Sequence, residues 1–337
     1  MKTHSLILLC LMLSLSSCKK TASTTDSAGP ESSSPQSSTI SATIPATPLV
    51  APFRIYRLLA ISPQNISFSP PVLKSALSIA YPELAAPQKT KLEQLFDFQT
   101  QNEKLKDAVS PFSTESKDPK KHLTNISTTL EIKGPWTIPF EKDKTINAHF
   151  QSSPHGSSTC RFMRKKSFYR YYENKITQWL ELPIQNSSMV MLLALPKEHF
   201  ELKKTEELLS ADYLNQLDHQ LKRERVDIAL PKFNLEQKSP LNDIINMSGN
   251  DFIFNKNSYP KKSNFFKNPI SKITQNTSFR IDENGMNTNN ETTVIPKEDS
   301  SVVLSFTKNF YAAEPFLVIL KNIKSNEIVL LGRVYQP

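Results

Sequence analysis

The sequence predicts an α+β fold, and three observations carry that expectation. Apolar residues at helical spacing fall early, between Phe53 and Phe98. After Lys121 the pattern turns to β-branched, alternating and continuous apolar runs of strand length. Two such runs close the chain on either side of a polar turn, as in an antiparallel hairpin. Helices first and then many strands argue for α+β and against an alternating βαβ order.

The elements follow from the N-terminus. Lys2 precedes an apolar run from Leu6 to Leu15, the layout of a secretory signal. The ending Leu15-Ser16-Ser17-Cys18 resembles the lipobox of bacterial lipoproteins. Residues 1–17 are therefore expected to be a lipoprotein signal peptide, and Cys18 the lipidated (palmitate-type) first residue. The alternative is an ordinary signal with an incidental cysteine. No other stretch is long and apolar enough to span a bilayer. The expectation is thus a chain anchored by lipid to a membrane of the bacterial cell envelope, facing the periplasm or the cell surface. Cys10 leaves with the signal and Cys18 takes lipid, so Cys160 stands alone in the mature chain and reads as a small buried hydrophobe. Residues 18–52 are rich in Ser, Thr, Pro and Ala, which builds no core and reads as a flexible tether. The folded domain is expected over 53–337.

Within that domain, "FRIYRLLA" sets Phe53, Ile55, Tyr56, Leu58 and Leu59 on a rough helical stripe. Ser69 and Pro70 open a second helix, "SPPVLKSALSIA", and "TKLEQLFDF" gives a third through Leu92, Leu95, Phe96 and Phe98. Then come strands. "NISTTLEIKGPW" is β-branched and stops at Gly-Pro, "TQWLELPI" alternates, and "SMVMLLALP" is continuous enough for a fully buried strand. "RVDIALPKFNLE" alternates through Val226, Ile228 and Leu230. Helical segments are expected over Lys203–Leu221 and Leu241–Met247. "EPFLVIL" and "EIVLLGRVYQP" form the closing hairpin around "KNIKSN".

Composition narrows the function by exclusion. Six glycines among 337 residues speak against a Gly-rich nucleotide cradle. The formal net charge of +9 describes a solvated basic surface, since no Arg-rich helix or basic stripe with spaced aromatics points to nucleic acid. The histidines (His4, His122, His149, His155, His199, His219) are scattered. There is no HExxH, paired CxxC, P-loop or nucleophile elbow. "HGSSTC", His155 to Cys160, reads as a polar turn rather than a catalytic group. The expectation is a non-enzyme with no cofactor and no metal. One polar run, Asp282 to Ser300, is too long for an ordinary connection and reads as a functional or disordered loop.

Seven segments, in order, resemble the serpin family. "FYAAEPFLVILKNIKSNEIVLLGRVYQP" is similar to the family's closing strand pair, including Pro315-Phe316 and Gly332-Arg333-Val334. "NISFSPPVLKSALSIA" resembles its early helix, and "LEIKGPWTIPF" its central strand ending in Lys-Gly-x-Trp. "RFMRKKSFYRYYE", "LELPIQNSSMVMLLALP" and "VDIALPKFNLE" fit, as does Leu241 with Gly249-x-x-x-x-Phe254. The resemblance covers Phe53 to Pro337 apart from one gap. It implies large mixed and antiparallel sheets, N-terminal helices and an exposed reactive-centre-type loop. Serpins are non-enzymatic protease inhibitors: a protease cleaves the bait loop, is acylated, and the loop inserts as a central strand.

The resemblance also assigns residues. Asp282-Glu283-Asn284-Gly285 resembles the hinge that begins the loop, which would run exposed to about Phe310. Glu283, Asn284, Gly285, Met286, Thr288 and Asn290 are its hinge positions, and Trp136 lies near the top of the sheet where insertion starts. The family's usual distance from Gly285 puts the scissile bond near Asp299, with Glu298 or Asp299 as an acidic bait residue, Lys297 as a trypsin-like one, and Ser300 following.

Three features depart from the family. Along an inserted strand Met286, Thr288, Asn290, Thr292 and Val294 would share one face, burying the Asn290 amide, and Pro296 would interrupt the ladder. Between Phe98 and Lys121 there is room for little more than one short helix, where serpins carry several helices and one or two strands. Gln275 stands where the family usually has His. These departures favour a serpin-derived module that binds a protease, host proteases included, or another protein through its loop as a monomer, without efficient suicide inhibition. The alternatives are a working inhibitor of a serine or cysteine protease, and an unrelated β-rich surface lipoprotein.

Overall fold

Helix α1 (Ala51–Leu59) begins two residues ahead of the expected domain start, and turns Phe53, Ile55 and Tyr56 into the core. The computed structural model describes residues 51–94, 96, 109–115, 123–287 and 306–337. A short strand β1 (Ile66–Phe68) leads to Ser69, whose hydroxyl accepts the Val72 N–H at 3.4 Å and caps α2 (Pro70–Ala80). Prolines at the first helical positions lack only N–H groups that would have no helical acceptor. Helix α3 (Ala86–Glu93) buries Leu92, and Leu95 and Phe98 of the expected helix lie outside the described residues.

The segment between Phe98 and Lys121 departs from expectation. Its described part is not a helix but strand β2 (Val109–Glu115), running antiparallel beside β3 (Thr124–Glu131) from Val109 opposite Leu130 to Glu115 opposite Thr124. The edge of β3 supplies the hydrogen-bond partners that an isolated seven-residue stretch would have to make within itself. Beyond β4 (Gly134–Pro135), strands β5 (Ile146–Ser153) and β6 (Gly156–Glu173) form a long hairpin. The expected polar turn "HGSSTC" is therefore corrected. Only His155 lies in the turn, and Cys160, half-buried rather than buried, pairs with Ala148 on the ladder.

Strands β7 (Thr177–Pro183) and β8 (Met189–Pro196) continue the sheet, with Val190 to Leu195 buried as the continuous apolar run requires. The helical segment expected over Lys203–Leu221 is two helices, α4 (Leu202–Leu208) and α5 (Ala211–Gln220). Ser210 separates them because its hydroxyl caps α5, accepting the Tyr213 N–H at 3.1 Å. Then follow β9 (Lys222–Pro231), β10 (Phe233–Asn234), β11 (Gln237–Pro240), α6 (Asn242–Met247) and α7 (Asn264–Lys267). The chain closes with β12 (Ile270–Ser278), β13 (Arg280–Ile281), β14 (Gly285–Met286), β15 (Lys308–Tyr311), β16 (Phe316–Asn322) and β17 (Glu327–Val334).

Three sheets result. The largest runs β1-β17-β16-β8-β7-β6-β9-β15 with β5 against β6; the expected closing hairpin lies second and third from one edge, between β1 and β8, with every residue of β16 buried. A second sheet runs β11-β12-β3-β2. In it β12 and β3 are direct parallel neighbours, from Ile273 opposite Ile126 to Ser278 opposite Glu131. A third, small sheet, β10-β13-β14-β4, sits at the end of that seam. This is the mixed and antiparallel α+β architecture that the sequence predicts.

A buried ion pair ties the ends of the domain together. Arg333 on β17 donates to the Glu206 carboxylate at 3.0 Å and to the carbonyls of Ala60 and Gln64 at 3.0 Å each, and also to that of Ser62. Tyr56 of α1 donates its hydroxyl to the same Glu206 oxygen at 2.8 Å.

Candidate functional site

The site is the chain from Asp282 to Asn287 and what holds it. Asp282 starts a tight turn between β13 and β14. Its carboxylate accepts the Asn284 N–H at 2.8 Å and the Gly285 N–H at 3.3 Å, and its own N–H reaches the Gly285 carbonyl at 3.1 Å. Gly285 has φ +152°, and a Cβ there would stand 2.2 Å from the Gly134 oxygen and 2.7 Å from the Pro135 Cα. Only glycine lets β14 come that close to β4, where Gly285 pairs with Pro135 and Met286 with Gly134.

Three successive carbonyls of the turn are each taken by the segment after β4. The Trp136 indole donates to Asp282 O at 2.9 Å, the Trp136 N–H to Asn284 O at 2.8 Å, and the Phe140 N–H to Glu283 O at 3.0 Å. Trp136 is buried against Phe140, edge to face at 6.5 Å. The Glu283 carboxylate meets the Lys232 ammonium at 2.5 Å and the Thr145 hydroxyl at 2.7 Å. Burial pushes this carboxyl up, but Lys232, Thr145 and its own N–H outweigh burial, so it titrates below the ordinary carboxylate range.

Asn287 ends the described stretch. Its backbone is left-handed, φ +46°, a conformation that Asn tolerates better than most residues. The side-chain amide donates to Ile132 O at 2.7 Å and to Ser278 O at 2.8 Å, while its oxygen accepts the Arg280 N–H at 2.9 Å. Ile132 follows β3 and Ser278 ends β12, so one amide spans the mouth of the parallel seam. Below it, Gln275 is buried and ties the seam to the α2 entry, its oxygen accepting the Ser69 N–H at 3.0 Å and its nitrogen donating to Ser67 O at 2.8 Å.

Of the hinge positions read from the sequence, the structure brings Glu283, Asn284, Gly285 and Met286 together with Trp136. Thr288, Asn290, Lys297, Glu298, Asp299 and Ser300 lie outside the described residues, as does Cys18. The expectation of exposure from Asp282 to about Phe310 is corrected at both ends. Glu283, Gly285 and Met286 are buried, because their backbone pairs with β4 and with the Trp136 segment. Phe306 is 96% exposed, but Phe310 is buried in β15, which pairs in parallel with β9. In this uninserted state strand β14 ends at Met286 and Asn287 is left-handed. Sequence reasoning did not single out Asn287, Thr145 or Lys232. Only the first carried a signal: an Asn directly after Gly-Met is suited to positive φ.

The comparisons bear on this geometry. The family model for Serpin (serine protease inhibitor) matches residues 123–337. The chain is similar to a serpin-like protein of Thermococcus kodakarensis, 28% identical over 70% of this chain and 54% of that protein. It is similar to mouse neuroserpin, 27% identical over 70% of this chain and 58% of that one. It is also similar to human leukocyte elastase inhibitor, 31% identical over 62% of this chain and 57% of that one. The chain thus spans little more than half the length of these relatives. Among solved structures, uncleaved ovalbumin superposes with a TM-score of 0.70 at 15% identity, over 86% of this chain and 98% of that one. A serpin from the trematode Schistosoma haematobium does so with a TM-score of 0.70 at 14% identity, over 85% of this chain and 98% of that one. At such identities these two superpositions speak to fold alone.

Proposed function

The chain belongs to the serpin family, and on that premise we propose that it is a serpin-derived binding module, engaging a protease or another protein through its loop without efficient suicide inhibition. Family membership overturns the reading of an unrelated β-rich lipoprotein, and the family is one of inhibitors rather than catalysts. The observation that carries the proposal is Asn287 at the mouth of the β3–β12 seam. A loop entering the seam must move that residue out of left-handed backbone and break the amide's bonds to Ile132, Ser278 and Arg280. It must also part strands already paired along the length of β12. Each hydrogen bond is worth about 0.5–1.5 kcal/mol net, so the lock is a substantial barrier to entry even if the inserted state recovers some of it.

The second reading, a working inhibitor, has its own support. Gly285 and Met286 already pair with β4 at the end of the seam, where an entering strand would begin. Lys297, Glu298, Asp299 and Ser300 are the proposed bait region in either reading. The lipid anchor at Cys18, the tether over 18–52, the place in a bacterial envelope and the monomeric state belong to the same proposal, resting on the sequence. Among the described residues no helix is long and apolar enough to cross a membrane.

The deciding experiment is a melting curve before and after limited proteolysis between Lys297 and Ser300, with a denaturing gel for covalent complexes with serine proteases. The binding-module reading expects little or no gain in melting temperature and no complex stable to boiling. A large rise on cleavage, or such a complex, makes the protein a protease trap.

A further inference from the structure

Four cations from four separate segments converge beside the hinge. Lys142 comes from the turn after Phe140, Arg161 from β6, Lys232 from between β9 and β10, and Arg280 from β13. With Asp282, Glu283 and Pro337 they border an open cavity of about 510 Å³, floored by Phe233 and Ile281. A cavity of this size takes a small ligand. Its two side-chain carboxylates are committed: Glu283 to Lys232 at 2.5 Å, Asp282 to Arg280 at 3.5 Å. Lys142 and Arg161 have no carboxylate within ion-pair distance among the described residues, and both are exposed. A second hollow is lined by Lys144, Arg164, Lys165 and Lys166 with Asp227, but three of these cations are paired, Lys144 and Lys165 with Glu141 and Arg164 with Asp227.

Lys142 and Arg161, left unpaired among the described residues beside two paired cations, give the cavity a net positive potential that invites an anion. We infer that this cavity is a binding site for a small molecule or headgroup carrying clustered phosphate or sulfate groups. Those groups would be held by Lys142 and Arg161 and shared with Lys232 and Arg280. A tetrahedral oxyanion suits the site because one group can take the planar fork of an arginine and a lysine ammonium together. One group suffices for Lys142 and Arg161; further groups on the same ligand are what would draw on Lys232 and Arg280, which already hold hinge carboxylates. The site does not depend on whether the loop traps a protease. Because Lys232 holds Glu283, however, the ligand would rest against the hinge.

The test is titration calorimetry of the full chain with two probes, inositol hexakisphosphate and sucrose octasulfate, at low salt. Saturable binding of either supports the site, and the stronger one assigns phosphate or sulfate. The double variant Lys142→Gln/Arg161→Gln is expected to lose at least tenfold in affinity. Lys261→Gln/Lys262→Gln, which removes the same charge from exposed residues elsewhere, should lose less than threefold. Absence of saturable binding by both probes, or equal losses in the two double variants, overturns the inference. The melting temperature of each variant without ligand, expected to be unchanged, separates lost binding from lost folding.

Discussion

Asn287 and Ile132 are joined across the mouth of the seam by an amide N–H donated to a backbone carbonyl at 2.7 Å, and the same nitrogen reaches Ser278 on the other strand at 2.8 Å. One side chain thus bridges the two strands that an inserting loop must separate. Asn287→Gly keeps access to positive φ and removes the bridge, whereas Asn287→Ala adds backbone strain of about 1–3 kcal/mol. Both variants should melt below the parent, Ala lower than Gly. After loop cleavage, Asn287→Gly should gain melting temperature where the parent gains little. Identical behaviour of nicked parent and nicked Asn287→Gly removes Asn287 as the lock.

Gly285→Ala tests the close approach of β14 to β4. The added methyl meets backbone atoms at 2.2 and 2.7 Å, which do not yield as a flexible side chain would. The pairing should dissolve and expose Met286 at a cost of about 1–3 kcal/mol. Hydrogen exchange at the Trp136 and Phe140 amides should accelerate while the β16–β17 hairpin stays protected. Unchanged exchange at Trp136 would reject the contact.

Glu283 gives the hinge a pH dependence whose sign is fixed. Its carboxyl titrates below its unfolded value, about 4.3 for a free Glu. The stabilisation is therefore complete above that value and is lost as pH falls through the lower folded one. Glu283→Gln should be less stable than the parent at pH 7, and the gap should close on acidification toward pH 3. A gap that widens in acid, in paired urea titrations, contradicts the assigned pairing with Lys232 and Thr145.

Much of the fold was legible because it follows local rules. The Ser69 cap, the continuous apolar β8 and the two runs of the closing hairpin state their structure in adjacent residues. Strand β2 was not legible, since it exists by pairing with β3 and its own residues carry no strand period. The hinge was located by resemblance, but its burial was hidden. Glu283 and Met286 look solvent-facing until Lys232, Thr145 and β4, all remote in the chain, are folded against them. Asn287 is similar: its role is set by carbonyls 155 and 9 residues away.

The anchor makes a separate prediction. Lys2, the apolar run to Leu15 and the Leu15-to-Cys18 ending motivate lipid attachment at Cys18. Metabolic labelling with a fatty acid should mark the parent and leave Cys18→Ser unmarked, with the variant released from membranes, because acyl chains supply the hold. Equal labelling of the two proteins rejects the anchor.

Arg333 carries the last prediction. It is buried, it pairs with a buried Glu206, and Tyr56 donates to the same carboxylate. Arg333→Ala leaves that carboxylate in the interior without its cation and strips donors from the carbonyls of Ala60, Ser62 and Gln64. Breaking a buried pair in this way costs about 3–5 kcal/mol, a large part of a domain's stability. Replacing both charges, Arg333→Met with Glu206→Leu, removes the stranded carboxylate and should recover most of the loss, with Tyr56→Phe added to relieve its hydroxyl. Urea midpoints of the single, double and triple variants measure the coupling. If Arg333→Ala alone shifts the midpoint by less than the equivalent of about 1 kcal/mol, the pair contributes little to holding α1 and α4 to the closing strand.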